Sequence, residues 1–123
     1  MKSPIIPPEV AVRAARLSRL PAMTIAKAAA RFGVSRGAVE RARRERPDET
    51  RLSLDDYLLA TLSDDGLAET GTIGDLASLA GYIDYINHDG CNADDIQRML
   101  DALVSDGKIS IKDKTWRLLV PWP

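Results

Sequence analysis

A chain of 123 residues that is 45% hydrophobic and 28% charged has an ordinary globular composition, enough for one domain or two very small ones. No apolar run approaches the roughly 18 residues of a membrane span, and no apolar signal core follows Lys2, so the expected compartment is the cytoplasm, away from membranes. A lone cysteine, Cys91, excludes an internal disulfide. With a lone histidine, His88, it cannot furnish a tetrahedral Cys/His zinc site, and no metal or cofactor is expected.

The net charge of −1 conceals a division. Residues 1–51 carry 12 Lys/Arg against 5 Asp/Glu, a net +7, whereas residues 52–123 carry 5 against 13, a net −8. Such asymmetry suggests a polyanion-binding module joined to one that avoids polyanions.

In chain order, residues 1–7, with Pro4 and Pro7, read as an extended arm. Pro8 then suits a first helical turn and Glu9 the positive end of its dipole. Val10, Ala14 and Leu17 share one face of this helix, Arg13, Arg16 and Arg19 lie mostly on the others, and Pro21 ends it. Thr24 can cap a second helix from Ile25 to about Phe32, which Gly33 stops in the left-handed conformation. Ser35 can cap a third, from Arg36 to about Arg46. Only Val34 separates the stopping glycine from the new cap, which predicts a tight helix–turn–helix bend.

The stretch Ile25–Arg44 resembles the helix-turn-helix unit of bacterial repressors and of the DNA-binding tails of resolvases and invertases. With the preceding helix it looks like a trihelical, homeodomain-like unit over residues 8–46. Ala29 is small where two helices nearly touch, Gly33 supplies the turn, Val34 plugs the corner, and Ala28, Phe32, Val39 and Ala42 supply shared core. The resemblance implies that the third helix enters the major groove of double-stranded DNA. It assigns base readout to Ser35, Arg36, Gly37, Glu40, Arg41 and Arg44, and phosphate contacts to Thr24, Lys27, Arg43 and Arg46. Arg36 and Arg41 lead, because arginine can donate two bonds to guanine. Glu40 could accept from a cytosine amino group or pair with Arg36, Arg43 or Arg44 one turn away.

Residues 47–52 are polar, contain Pro47, and read as a linker. Ser53 with Asp55 and Asp56 starts a helix whose buried stripe is Leu54, Leu58, Leu59 and Leu62, ended by Gly66. Thr72–Asp75 starts the next, with Leu76, Leu79 and Ala80 inward. Tyr82–Cys91 reads as a long connection. Asn92 caps a further helix with Ile96, Met99, Leu100, Leu103 and Val104 inward, stopped by Gly107. Ile109 and Ile111, a turn at Asp113-Lys114, and Trp116, Leu118 and Val120 read as a hairpin. Three helices and a hairpin over residues 53–123 resemble a winged-helix domain, most specifically from Leu100 to Ile109. The expected fold class is therefore mainly α: a three-helix helix-turn-helix domain, then a winged-helix-like domain with a C-terminal β-hairpin.

A winged helix usually reads DNA with its third helix, but here that helix opens with Asp94 and Asp95, near Asp89 and ahead of Asp101, with Arg98 alone in opposition. Each acid repels a phosphate at about 4 Å by roughly 1–4 kcal/mol. Lys112 and Lys114 on the wing remain the only candidates there for a phosphate. The acidic half instead suits dimerisation or a protein partner, with Trp122 docking on its own core or on that partner.

Other signals are weaker. Asn87-His88-Asp89-Gly90 has the middle of a calcium loop, but Tyr85 and Ile96 stand where its carboxylates belong. Gly71-Thr72-Ile73-Gly74 matches a KH-type loop without a basic residue. His88 and Cys91 lack a third catalytic group, and Asp55, Asp56, Asp64 and Asp65 read as helix-start and turn acids. The chain is therefore expected to be no enzyme. It is expected to be a sequence-specific DNA-binding protein acting as a homodimeric transcriptional regulator, or else a DNA-tethered architectural, replication, partition or recombination accessory whose acidic half recruits a protein.

Overall fold

The computed structural model describes residues 7–87 and 90–123, so six of the seven arm residues, His88 and Asp89 lie outside the described residues. The protein is mainly helical, with a small antiparallel sheet towards the C-terminus. It divides into two compact units, residues 1–52 together with Pro123, and residues 53–122.

In the basic unit, α1 (Pro8–Ser18), α2 (Ile25–Phe32) and α3 (Arg36–Glu45) pack against one another. Their shared core is small: Ala14, Ala15, Ala29, Val39 and Ala42, with Ile25, Phe32 and Val34 packed against it. Alanines at the crossings let the backbones approach closely. Thr24 Oγ1 accepts from the Lys27 N–H and Ser35 Oγ from the Ala38 N–H, each at 3.1 Å, which fixes where α2 and α3 begin. Gly33 has φ +66°, a conformation that L side chains rarely adopt, and leaves a three-residue turn between the helices.

Residues 47–52, expected as a linker, instead belong to this unit and contain a short helix, α4 (Pro47–Thr50). Proline cannot extend α3, but its fixed φ and missing donor suit a first helical position, so it starts a new turn. Thr50 is fully buried and its hydroxyl donates to the Arg46 carbonyl at 2.9 Å. Arg19 donates to that hydroxyl, and Arg16 to the carbonyls of Glu49 and Arg51. Arg16 on α1 and Arg19 just after it, both half-buried, thus brace α4.

The acidic unit runs α5 (Leu54–Leu62), β1 (Thr70–Thr72), α6 (Leu76–Asn87), α7 (Ala93–Ser105), β2 (Ile109–Lys112) and β3 (Thr115–Leu118). Strand β3 lies between β1 and β2, antiparallel to both, with Trp116 opposite Gly71 on one side and Ile111 on the other. Strand β1 was not expected from the sequence. Residues 82–87, expected within a connection, are the last turns of α6, whose Ile83 is fully buried. Together with Ile83, residues Leu58, Leu59, Ile96, Leu100, Leu103, Ile109 and Trp116 are the large side chains at the centre of its buried core, to which Ala60, Ala80 and Trp122 also belong.

Two residues expected inward, Leu54 and Val104, are exposed, as is Val120, expected in the second strand of the hairpin. Leu54 is the first residue of α5, directly after the Ser53 cap. Val104 lies about 100° round α7 from Leu103, and Val120 follows the end of β3. Trp122 is buried, as expected for docking on its own core. The hairpin turns through Asp113 and Lys114, both at positive φ, the geometry that matches the twist of paired strands.

Candidate nucleic-acid interface

Helix α3 presents a strongly basic surface. Arg36, Gly37, Glu40, Arg41 and Arg44 are all exposed, and Arg43 is half-buried. Positions 37, 41 and 44 recur at one helical face, with 36 and 40 beside it. Among the described residues, Arg36, Arg41, Arg43 and Arg44 form no ion pair, and neither does Glu40, so the one-turn pairing open in the sequence is not made. These guanidinium groups remain available to an external anion.

The remaining residues assigned from the sequence divide by location. Ser35 is exposed at the start of α3, its oxygen accepting from Ala38 while its hydroxyl proton stays free to be donated. Thr24 and Lys27 are exposed on the first turn of α2 rather than on α3. Arg46 lies just beyond α3 and pairs with Glu49 Oε2 at 3.2 Å, which reduces the charge it can offer. Arg13, not singled out as a site residue, stacks its guanidinium over Phe32 at 5.1 Å from the ring centre.

Beside this face runs an open groove of about 450 Å³, between the start of α1, at Pro8 and Ala11, and α3, at Ser35, Gly37, Ala38 and Ala42. Arg41 forms part of its wall, and Glu45 and Arg46 close the far end.

The acidic unit offers a contrasting helix in α7. Asn92 and Asp95 close a reciprocal cap at its start, and Asp95 also pairs with Arg98. The Asn92 backbone N–H, then Arg98, hold the Asp95 carboxyl below the usual carboxylate range. The first turn of α7 therefore keeps its negative charge while its single arginine is occupied. Burial, followed by the carboxylates of Asp95 and Asp84, pushes the Cys91 thiol up, so at neutral pH it is a thiol rather than a nucleophilic thiolate.

Gly71 and Gly74 do not frame an exposed loop. Gly71 lies on β1, where an added Cβ would meet the Trp116 indole at 3.0 Å. Asp84 accepts from the Gly90 N–H, and the calcium-loop pattern otherwise falls on His88 and Asp89, outside the described residues. Among the described residues, no helix is long and apolar enough to cross a membrane. Comparison of the chain with known protein families, curated proteins and solved structures returns no match, so its own geometry is the basis on which a function is assigned.

Proposed function

We propose that this chain is a sequence-specific double-stranded DNA-binding protein, a small transcriptional regulator whose basic unit reads the major groove with α3. The observation that carries this reading is the set of exposed arginines on α3 with no internal ion pairs, on a helix capped by Ser35 and joined to α2 by a three-residue turn. A tight turn between two short helices at this position supports a helix-turn-helix unit. Arg36, Arg41 and Arg44 then face base edges with Glu40, while Lys27, Thr24 and Arg43 hold phosphates.

The acidic unit is read as winged-helix-like, a reading supported by its helix–strand–helix–helix–hairpin order and by β1 pairing on the far side of β3. Its net charge and the occupied Arg98 argue against DNA, and the unit is assigned instead to joining two copies through its apolar surface. A homodimer places two α3 helices in successive major grooves, about 34–36 Å apart on a palindromic site. A second reading, a DNA-tethered adaptor that recruits another protein, draws on Tyr82 and Tyr85, which are 51% and 76% exposed on α6.

Titrating duplex DNA against salt tests the proposal. With about 4–6 phosphates neutralised per subunit, log K against log salt should slope near −4 to −5 per subunit. The acidic unit alone should show no such binding. Equal affinity of the two units, or no salt dependence, rejects the assignment. One footprint at one promoter favours the regulator; binding at many sites favours the adaptor.

A further inference from the structure

Gly37 is a glycine that the folded chain itself does not require. Its φ is not among the positive values, and a Cβ added to it meets only Ser35 Oγ, at 4.0 Å. Alanine would fit and would favour the helix by losing less backbone entropy on folding. Gly37 nevertheless lines the groove between α1 and α3, with no side chain to occupy it. Around it the floor is small and apolar, from Ala11, Ala38 and Ala42, and the Ser35 hydroxyl opens onto the same groove with a proton to donate.

Apolar carbon below and a hydroxyl donor at one end suit a deoxyribose and its adjoining phosphate. We propose that this groove seats one sugar–phosphate strand of the bound duplex, and that Gly37 is its point of closest approach. The inference rests on the reading of α3 as the DNA-binding helix, and it assigns Gly37 to the strand rather than to a base edge. Glu45, whose carboxylate repels phosphate, borders the far end. The strand therefore lies towards Ser35, with Arg41 lining the same groove one turn further along α3.

The test uses the full chain in three forms: wild type, Gly37→Ala, and Gly81→Ala. Gly81 lies within α6, and a Cβ there also meets nothing within 4 Å, so it controls for the gain in helix stability. Both variants should unfold about 2–6 °C higher than wild type. Gly37→Ala alone should weaken binding to a duplex selected from a random library, roughly tenfold or more. It should weaken a random duplex by a similar factor, because a strand contact carries no sequence information. Unchanged affinity in a stabilised Gly37→Ala overturns the proposal, as does a lowered melting temperature, which would make the glycine structural. Loss on the selected duplex alone returns Gly37 to a base edge. Failure of wild type to bind any duplex overturns the DNA reading itself, and this inference with it.

Discussion

The indole N–H of Trp122 donates to Asp56 Oδ1 at 3.0 Å, joining the last turn of the acidic unit's chain to its first helix. The other oxygen of the same carboxylate accepts from the Ser53 N–H and hydroxyl, completing the cap of α5. One buried carboxylate thus serves both ends of the unit. Trp122→Ala should cost about 3–5 kcal/mol, from lost burial and from the carboxylate left without its indole partner. Trp122→Phe should cost less, about 1–3 kcal/mol, because it loses mainly the bond. Urea unfolding monitored by circular dichroism measures both, and equal stability of Trp122→Phe and wild type would show the bond to be without net value.

On α3, reading and holding should separate. Arg36→Ala or Arg41→Ala should cost about 1–3 kcal/mol on the selected duplex and much less on random DNA. Arg43→Ala should weaken both duplexes by similar factors and flatten the salt slope by about one unit per subunit. Arg46→Ala should act in the same sense but more weakly, since Glu49 already shares its charge. If Arg36→Ala and Arg41→Ala weaken both duplexes equally, α3 grips phosphates and the adaptor reading gains.

Ser35 caps α3 and, on the proposed reading, also meets DNA, two roles that one substitution cannot distinguish. Ser35→Ala removes the acceptor for Ala38 N–H and should cost about 1 kcal/mol of stability. Ser35→Asp keeps a capping acceptor but brings a carboxylate to the DNA face. It should melt near wild type and bind DNA roughly tenfold or more weakly. Wild-type affinity in a stable Ser35→Asp would remove Ser35 from the interface.

Acid should loosen the start of α7. Because the Asp95 carboxyl titrates lower in the folded chain than its ordinary value of 3.8, its contribution to stability is present above that range. It is lost as pH falls through the folded value. Asp95→Asn should therefore flatten the stability profile of the acidic unit below about pH 4 while changing its shape little near neutrality. An unchanged acid limb would mean that the cap adds nothing in its charged form.

The basic unit was readable because its signals are local. Thr24, Gly33 and Ser35 act within four residues of themselves, and the structure places α2 between Thr24 and Gly33 and starts α3 directly after Ser35. Elements defined by distant partners were not readable. Strand β1 is three residues long and exists by pairing with β3, some 45 positions later, so no alternation marks it. Gly71 has the spacing of a loop motif, but its smallness answers the Trp116 ring. Pro47 ends one helix and begins another, and the buried Thr50 is bonded by Arg19, 31 positions earlier, a partner that no local pattern announces. At the candidate interface the arginines are plain in the sequence, whereas the unpaired state of Glu40 and the groove beside Gly37 arise only from the folded packing of α1 and α3.

The short helix α4 also sets where the chain can be cut. A fragment ending at Arg46 would retain every predicted DNA contact, yet it would remove the Glu49 and Arg51 carbonyls that Arg16 bonds, the Thr50 hydroxyl that Arg19 bonds, and with it the fully buried Thr50. The smallest autonomous DNA-binding piece should therefore extend to Leu52, and a reporter fused after residue 46 would score a weakened scaffold as a weak binder.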